Sequence, residues 1–422
     1  MKKTLLLVSL LTISIAGFAQ KDSKPQKFIF SQKVPATFDV ERLGRLDSAL
    51  QKLVDNGTIP HAVTFVAHHG KVVHYKAFGW RNIEKKIPVQ KDDIFRMASQ
   101  TKAITAVCVM TLFEEGKILL DDPIKKYIPE FKNPQVLVSF NDKDSTFTTR
   151  PAEKDITIRH LLTHTSGISY GIGSPLLKIY TKKGIPTLNT LENKTLGEVI
   201  RTLASCPLEH DPGEKFTYGM SLDVLGYLIE VVSGKPVDQY FRERIFEPLG
   251  MNNTYFNIPK DKQNRLVTLY QKDINSALTI NPDELYQTYP FAGAQTFFST
   301  GAGLSGTVED YAKFCQMILN GGEFNGNRIL GRKTVELMCR NQVKDLRGEI
   351  GFGLAFDDFR AQYAAKSIAS EGSLRWGGMF GTDYIIDPKE DLILLFYINL
   401  QPNNSGIDLK VLFHNLVYQA LK

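Results

Sequence analysis

Two polar residues three positions apart, Ser99 and Lys102, have the types and the spacing that nucleophilic catalysis requires. In a helix, residues i and i+3 lie on one face, so the serine hydroxyl and the lysine amine can meet. A hydroxyl is a poor nucleophile unless a base takes its proton. The amine can be that base only where desolvation or a nearby cation keeps it uncharged. The pair predicts an attacking serine and a buried lysine base, although Ser-x-x-Lys is short enough to occur by chance.

Tyr218 is the second candidate. It follows a strong turn at residues 211–214 and precedes an apolar helical run. A phenol held close to the serine and the lysine can relay a proton to a leaving group. The alternative is a tyrosine packed under a loop with its hydroxyl bonded to the backbone.

The third candidate is a glycine pair inside the segment Trp376-Gly377-Gly378-Met379. Paired glycines at the start of a strand allow the backbone to approach a ligand or another strand closely. A following N–H, that of Met379, can then complete an oxyanion hole. A β-bulge explains the same spacing and is the alternative.

Several other chemistries lack their sequence patterns. The chain has no G-x-S-x-G nucleophile elbow and no G-x-x-x-x-G-K-[ST] phosphate loop. His160 and His164 have the spacing of metal ligands on a helix, but Leu161 stands where a zinc protease requires glutamate. We therefore interpret both histidines as structural and predict neither a metal nor an organic cofactor.

The elements that must position these residues follow from hydrophobic periodicity. A helix over 40–54 is followed by two strands, 62–68 and 72–78, that flank the turn His69-Gly70-Lys71. Residues 101–115 are apolar nearly all round and end at Gly116, which is typical of a central buried helix. Further helices are expected at 222–232, 307–319 and 407–421, and further strands at 351–356, 378–387 and 392–399. Strands at both ends around a largely helical middle predict an α/β fold with one sheet made by the two ends of the chain.

The N-terminus has the pattern of a secretory signal peptide. A cationic start is followed by an apolar run that is too short to span a membrane, and small residues precede Gln20. We assign residues 1–19 to the signal peptide and 20–37 to a flexible leader. The prediction is an exported protein, periplasmic or secreted, with no membrane anchor after cleavage.

Composition and net charge exclude several classes of protein. With 43% hydrophobic and 23% charged residues, the chain is neither disordered nor fibrous. The net charge of +6 includes two lysines of the signal peptide and is too small to indicate a nucleic-acid partner. The four cysteines form no C-x-x-C pair, so neither a redox motif nor a zinc ribbon is indicated. We expect four unpaired cysteines in the core, and one disulfide is the alternative.

The ordered set Ser99-x-x-Lys102, Tyr218 and Trp376-Gly377-Gly378 resembles the serine β-lactamase and penicillin-binding-protein superfamily. Within it, the chain is most similar to the class C-like branch that includes family VIII carboxylesterases. Four further segments resemble family signatures in the expected order, and the likeness spans roughly residues 40–415: they lie at 161–167, 212–218, 223–226 and 299–314.

The resemblance implies a fold and a set of roles. It implies an antiparallel sheet flanked by helices with an adjoining mostly helical lobe, in one domain over 38–422: the sheet lobe covers about 38–98 and 300–422, and the helical lobe about 99–299. By the same resemblance, Ser99 is acylated and Lys102 shares the role of base with Tyr218. The oxyanion hole would be the N–H groups of Ser99 and Met379.

Two departures from the family pattern bear on the substrate. Met220 stands where the family has the asparagine of Y-x-N, and Trp376 replaces the cation of its third motif. With Gly377 and Gly378 they are the predicted substrate-binding residues, and both changes remove polar recognition of peptide-like acids. We therefore expect an esterase that acts on an apolar, uncharged small-molecule ester. A D-amino-acid peptidase or β-lactamase, and a non-catalytic binding protein, are the alternatives, and the oligomeric state stays open.

Overall fold

The structure, a computed structural model, describes residues 24–30, 33–273 and 277–422. The predicted signal peptide at 1–19 lies outside the described residues, as do residues 20–23, 31 and 32 of the leader. Residues 24–30 belong to the leader that the sequence analysis expected to be flexible, and in the structure they lie against the folded domain. Strand β1 (Ile29–Phe30) pairs with the strand that follows Gly70, and the ring of Phe28 packs 4.9 Å from Phe65. The apolar side chains of this segment pack against the folded domain, which the side chains of a polar leader would not do.

One large sheet lies at the centre of the molecule. Over the described ranges it has nine strands in the order β1-β3-β2-β18-β17-β16-β15-β14, with β4 beside β3, and β1 is the one parallel strand. The α/β fold class predicted from the sequence is therefore confirmed. The strands of the chain are β1 (Ile29–Phe30), β2 (His61–His68), β3 (Lys71–Asn82), β4 (Ile87–Pro88), β5 (Phe95–Arg96), β6 (Gln135–Phe140), β7 (Phe147–Pro151), β8 (Thr254–Tyr255), β9 (Tyr270–Lys272), β10 (Thr279–Ile280), β11 (Ser305–Gly306), β12 (Glu323–Phe324), β13 (Asn327–Arg328), β14 (Ile350–Phe352), β15 (Asp357–Phe359), β16 (Leu374–Gly377), β17 (Asp383–Asp387), β18 (Leu392–Tyr397) and β19 (Leu400–Asn403).

Helices cover both faces of this sheet and fill the region beside it. Their N-terminal ends are often capped by side chains, as where Thr307 accepts from Asp310 N and Asp408 from Val411 N. The helices are α1 (Val40–Asp55), α2 (Thr101–Glu114), α3 (Ile158–Leu162), α4 (Leu176–Lys182), α5 (Leu196–Leu203), α6 (Ser221–Ser233), α7 (Val237–Phe241), α8 (Glu247–Leu249), α9 (Glu284–Thr288), α10 (Val308–Leu319), α11 (Arg332–Cys339), α12 (Ala361–Ala364) and α13 (Leu409–Tyr418). Short 3-10 turns and one π-helical turn at Arg242–Phe246 connect them.

Strand β2 is buried on both faces, and five of its eight residues are apolar. Ala62 and Val66 pack in the cluster that contains α1 and α13. Phe65 and Ala67 pack in the larger cluster that contains α2 and α10. The hairpin to β3 turns at His69 and Gly70, which have φ of 49° and 69°. A two-residue turn with both φ positive matches the twist of the paired strands, so the predicted hairpin is present.

The C-terminal strands differ from the sequence expectation in where they begin. Residues 351–356 do not form one strand, because β14 ends at Phe352 and β15 begins at Asp357. Residues 378–382 form a tight turn in which Gly378 N donates to Thr382 O at 2.9 Å. Gly381 has φ of 105° there, so β17 starts only at Asp383.

Two further expectations concern the cysteines and membrane-spanning helices. All four cysteines carry free thiols; Cys108, Cys206 and Cys315 are buried, whereas Cys339 is partly exposed. Among the helices of the described ranges, none is long and apolar enough to cross a membrane.

Candidate active site

Ser99 lies in a tight turn at the start of the most deeply buried helix. The 3-10 turn Ala98–Gln100 leads directly into α2, and Ala98 has φ of 43°. A non-glycine residue in this left-handed region is strained and persists only where its surroundings hold it. Here Leu304 does so from both sides: its carbonyl accepts from Met97 N at 3.0 Å, and its N–H donates to Thr101 Oγ1 at 3.1 Å.

Lys102 is 1% exposed and all of its hydrogen-bonding capacity is used. Its Nζ lies 3.2 Å from Ser99 Oγ, 2.9 Å from the hydroxyl of Tyr170 and 2.7 Å from the carbonyl oxygen of Gly301. An ammonium group has three donors, and three acceptors surround it. The structure therefore brings Ser99 and Lys102 together in the buried geometry that the spacing predicted.

The charge of Lys102 differs from the sequence expectation. Burial alone lowers the pKa of Lys102, but Tyr170 and Tyr218 outweigh burial and the pKa is raised above the usual range. Burial also raises the pKa of Tyr170, although Lys102 opposes that shift. The direction of this shift favours the ammonium form of Lys102, whereas the sequence analysis expected an uncharged amine.

Tyr218 lies against this ammonium and is held mainly by aromatic rings. Lys102 Nζ lies 4.6 Å from the centroid of the Tyr218 ring. The rings of His164 and Trp376 lie 4.6 Å and 5.5 Å from it. The buried Tyr218 hydroxyl has no hydrogen-bond partner among the described residues. A cation over a ring face is favourable, and it brings the phenol to the same site as Lys102.

The glycine pair lets strand β16 approach the serine turn. A Cβ at Gly378 would lie 2.2 Å from the carbonyl oxygen of Met97, so only glycine fits. This contact places Met379 beside the Ser99 turn, and both residues line the same pocket. The geometry agrees with close backbone approach rather than with a bulge, because β16 pairs with β17 without a register shift.

The pocket at Ser99 has a volume of about 420 Å³ and is more highly charged than the sequence indicated. Arg347 pairs with Asp357 and stacks 4.5 Å from the Phe216 ring. Charged side chains therefore line the pocket together with Trp376 and Met379, which the expectation of an apolar, uncharged substrate did not include. The lining residues are Ser99, Tyr218, Arg347, Asp357, Arg375, Trp376, Gly377, Gly378, Met379, Asp383 and Lys410.

Met220 is the one predicted site residue that the structure places elsewhere. It is 2% exposed and packs in the main core cluster, because it directly precedes α6 and points into the helical region. It is absent from the residues that line the pocket. A substrate-binding role for Met220 is therefore wrong.

Sequence reasoning missed Tyr170 and Asp223. Asp223 is buried, and its Oδ1 accepts from Ser299 Oγ at 2.9 Å and from Gly301 N at 3.0 Å. It thereby fixes the loop whose Gly301 carbonyl binds Lys102. Burial raises the pKa of Asp223, and Lys102 opposes the shift. Asp223 lies in a segment that resembles a family signature, whereas Tyr170 lies three residues beyond the end of one, and no short spacing relates either residue to Ser99.

The comparison with known proteins identifies the family of this chain. The family model described as Beta-lactamase matches residues 46–413. The chain belongs to the Beta-lactamase family. A relative in this family, an uncharacterized protein of Mycobacterium tuberculosis, is 32% identical over 378 residues, which cover 85% of this chain and 90% of that protein. Esterase EstB of Burkholderia gladioli is 28% identical, covering 89% of this chain and 94% of that one.

The solved structures agree with this family assignment. EstCE1, described as a hydrolase with promiscuous acyltransferase activity, superposes with a TM-score of 0.76 at 28% identity, covering 90% of this chain and 99% of that one. The protein is thus a serine hydrolase with the β-lactamase fold, in a family that includes esterases and acyltransferases. Within the described ranges, no group of three or more His, Cys, Asp or Glu side chains is placed to hold a metal ion.

Proposed function

We propose that the protein is an exported serine hydrolase that cleaves carboxylic esters through an acyl-enzyme intermediate on Ser99. The observation that carries this proposal is the contact of 3.2 Å between Ser99 Oγ and the buried Lys102 Nζ, at the floor of a pocket open to substrate. Binding alone needs neither a nucleophile nor a buried cation beside it. The similarity to an esterase and to a hydrolase supports the reaction class.

The proton path follows from the charge of Lys102. The raised pKa of Lys102 makes its ammonium a poor acceptor for the Ser99 proton. We assign the transfer of the Ser99 proton to the leaving group to the Tyr218 hydroxyl oxygen, since the Tyr218 ring lies 4.6 Å from Lys102 Nζ. Ser99 Oγ forms a bond to the ester carbonyl carbon, and the leaving alcohol departs with the proton from Tyr218. Water then attacks the acyl group by the reverse proton path and releases the carboxylic acid.

Negative charge on the carbonyl oxygen needs donors in the transition state. The N–H groups of Ser99 and Met379 are the proposed oxyanion hole, because both lie at the same end of the pocket and Gly378 brings their backbones together. Preorganised backbone donors of this kind contribute roughly 10²–10³-fold each to the rate. Export rests on the N-terminal sequence pattern, which predicts a periplasmic or secreted protein.

A second candidate reaction is hydrolysis of D-amino-acid amides or β-lactams. The pocket carries Arg347, Arg375 and Lys410 against two carboxylates, so it could pair with the carboxylate of such a substrate. Rapid cephalosporin hydrolysis with negligible ester turnover would favour this reaction over ester cleavage.

The test compares the native protein with Ser99→Ala on three substrates. These are p-nitrophenyl butyrate, the p-nitrophenyl monoester of succinic acid and a chromogenic cephalosporin. We expect turnover of at least one ester to fall by about 10⁴-fold or more in Ser99→Ala, and intact mass to show an acyl adduct that maps to Ser99. Unchanged ester turnover in the variant would remove Ser99 from the mechanism. Failure of a fluorophosphonate to label the folded native protein would instead favour a binding protein.

A further inference from the structure

The backbone of Tyr218 is held from two sides by one residue, His164. The carbonyl oxygen of His164 accepts from Thr217 N at 2.7 Å, and its ring Nδ1 accepts from Gly219 N at 3.4 Å. The His164 ring also lies 4.6 Å from the Tyr218 ring. Because the hydroxyl of Tyr218 has no partner among the described residues, these backbone contacts and ring packing fix the position of the phenol.

His164 occupies an unfavourable state to make these contacts. It is 0% exposed and has φ of 54°, a left-handed conformation that is uncommon for residues other than glycine, although histidine adopts it more often than most. Its Nε2 is buried and has no hydrogen-bond partner in the part of the chain that the structure describes. Strain and an unpaired buried polar atom each cost stability, and together they are typical of a residue held in place for a role.

The protonation state of His164 suits an acceptor. Burial, and then the positive charges of Lys102 and Arg347, hold the pKa of His164 well below its usual range. The neutral ring that accepts a hydrogen bond at Nδ1 carries its proton on Nε2.

The segment after Tyr218 is tightly packed, because a Cβ at Gly219 would lie 2.3 Å from the Ile168 carbonyl oxygen. The backbone at Gly219 therefore has little room to shift if the contact with His164 is lost.

We propose that His164 is a positioning residue for Tyr218, holding the backbone at Thr217 and Gly219 so that the phenol oxygen stays beside Lys102. This inference rests on the proposed function, in which Tyr218 moves the proton of Ser99. His164 does not touch the reacting atoms. It acts through Tyr218, and its loss should therefore lower kcat and leave KM nearly unchanged.

A double-mutant cycle with Tyr218→Phe tests this dependence. His164→Asn keeps an acceptor near the Nδ1 position and His164→Gly removes it, while both residues tolerate positive φ. We expect His164→Asn to keep kcat within about threefold and His164→Gly to lower it about 30-fold with KM changed less than about threefold. In the Tyr218→Phe background, His164→Gly should cost less than about threefold, because the residue it positions has lost its oxygen.

His160→Asn is the matched control for damage to helix α3. His160 lies within α3, four residues before His164, and its Nδ1 accepts from Thr157 N at 3.2 Å, so its loss should leave kcat within about twofold. Thermal unfolding establishes that each variant is folded, and His164→Phe, which fills the space without an acceptor, replaces His164→Gly if that variant does not fold.

The outcomes separate the two proposals. Equal costs of His164→Gly in both backgrounds, or equal losses in His164→Asn and His164→Gly, would overturn the positioning role while leaving the proposed function intact. Unchanged turnover in Ser99→Ala would overturn the proposed function itself. A Tyr218→Phe variant with native kcat would contradict both the proton path and the role of His164.

Discussion

The two sides of the pocket at Ser99 are held in place by different physics. The serine side is a network of satisfied hydrogen bonds, and the tyrosine side is a stack of rings with three buried polar atoms, His164 Nε2, Tyr218 OH and Trp376 Nε1, that lack partners among the described residues. We define the serine side as Ser99, Lys102, Tyr170, Asp223 and Gly301, and the tyrosine side as His164, Tyr218 and Trp376.

This difference separates stability from catalysis. On the serine side, removing one group leaves another buried polar group unpaired, which costs about 1–3 kcal/mol in folding as well as any loss in rate. On the tyrosine side, a polar atom that already lacks a partner can be removed at little cost in folding. We therefore expect variants of the serine side to lose both Tm and kcat, and variants that remove an unpaired polar atom of the tyrosine side to keep a Tm close to that of the native protein.

The largest effect is expected for Lys102→Met. It removes the cation that neighbours both phenols and leaves the Gly301 carbonyl and the Tyr170 hydroxyl without their donor. We expect kcat/KM for the preferred ester to fall by about 10³-fold or more, together with a lower Tm. Steady-state kinetics and thermal unfolding measure the two quantities. A native Tm with the same loss of rate would show that the serine side is not stabilised by this network.

Asp223→Asn should have the next largest effect. The amide keeps the shape, but the negative charge that fixes the loop at Gly301 is lost. We expect kcat to fall by about 10-fold to 100-fold and the free energy of unfolding to fall by about 1–3 kcal/mol. Asp310→Asn is the matched control, because Asp310 is also buried and accepts from Asn253 N at 2.7 Å away from the pocket. The control should lose stability and keep native kcat.

The stability of the protein at acidic pH tests the ion pairs of Asp383, which lies on β17 and lines the pocket. Burial alone raises the pKa of Asp383, but Arg375, and then His414, reverse that shift and lower the pKa to about 2. A carboxyl with a lowered folded-state pKa stabilises the protein above its unfolded value of 3.8 and loses that contribution as the pH falls towards 2. This amounts to about 2 kcal/mol.

Asp383→Asn should therefore flatten the decline of Tm between pH 4 and pH 2 relative to the native protein, as the loss of one titrating group requires. The measurement is Tm against pH for both proteins, at constant ionic strength. Parallel curves would show that the ion pairs of Asp383 contribute no pH-dependent stability.

The smallest effect is expected for Trp376→Phe. The substitution removes an indole N–H that has no partner among the described residues and keeps a ring against Tyr218 and Phe352. We expect the free energy of unfolding to change by less than about 1 kcal/mol and kcat/KM by less than about fivefold. A larger loss of kcat would mean that the tyrosine side depends on this N–H during the reaction, which would remove the contrast between the two sides.

Sequence patterns predicted those parts of the molecule that depend on neighbours along the chain. The hairpin at Gly70, the buried helix α2 and the contact of Ser99 with Lys102 are all local, and all are present. Close backbone approach at the glycine pair was predicted as one of two possibilities, and the structure shows it as the contact of Gly378 with the Met97 carbonyl oxygen.

The features that sequence analysis missed or misplaced depend on residues that are far apart in the chain. Tyr170, Asp223 and the charged rim around Arg347 come together only through the tertiary fold, and no short spacing encodes their contacts. For Lys102 the sequence analysis considered only burial, whereas Tyr170 and Tyr218 act on the pKa of Lys102 in the opposite direction. Met220 was placed in the pocket by its position in a motif, whereas its burial depends on the packing of α6.

The pairing of β2 with β18 has a consequence for how the chain reaches its native state. Phe65 lies opposite Leu395, so the central strand near the beginning of the chain acquires its second neighbour only when residues close to the end are available. Contacts between such distant segments make folding slow, because much of the chain must be ordered before they form. A nascent chain therefore stays without its complete central sheet until synthesis is almost finished.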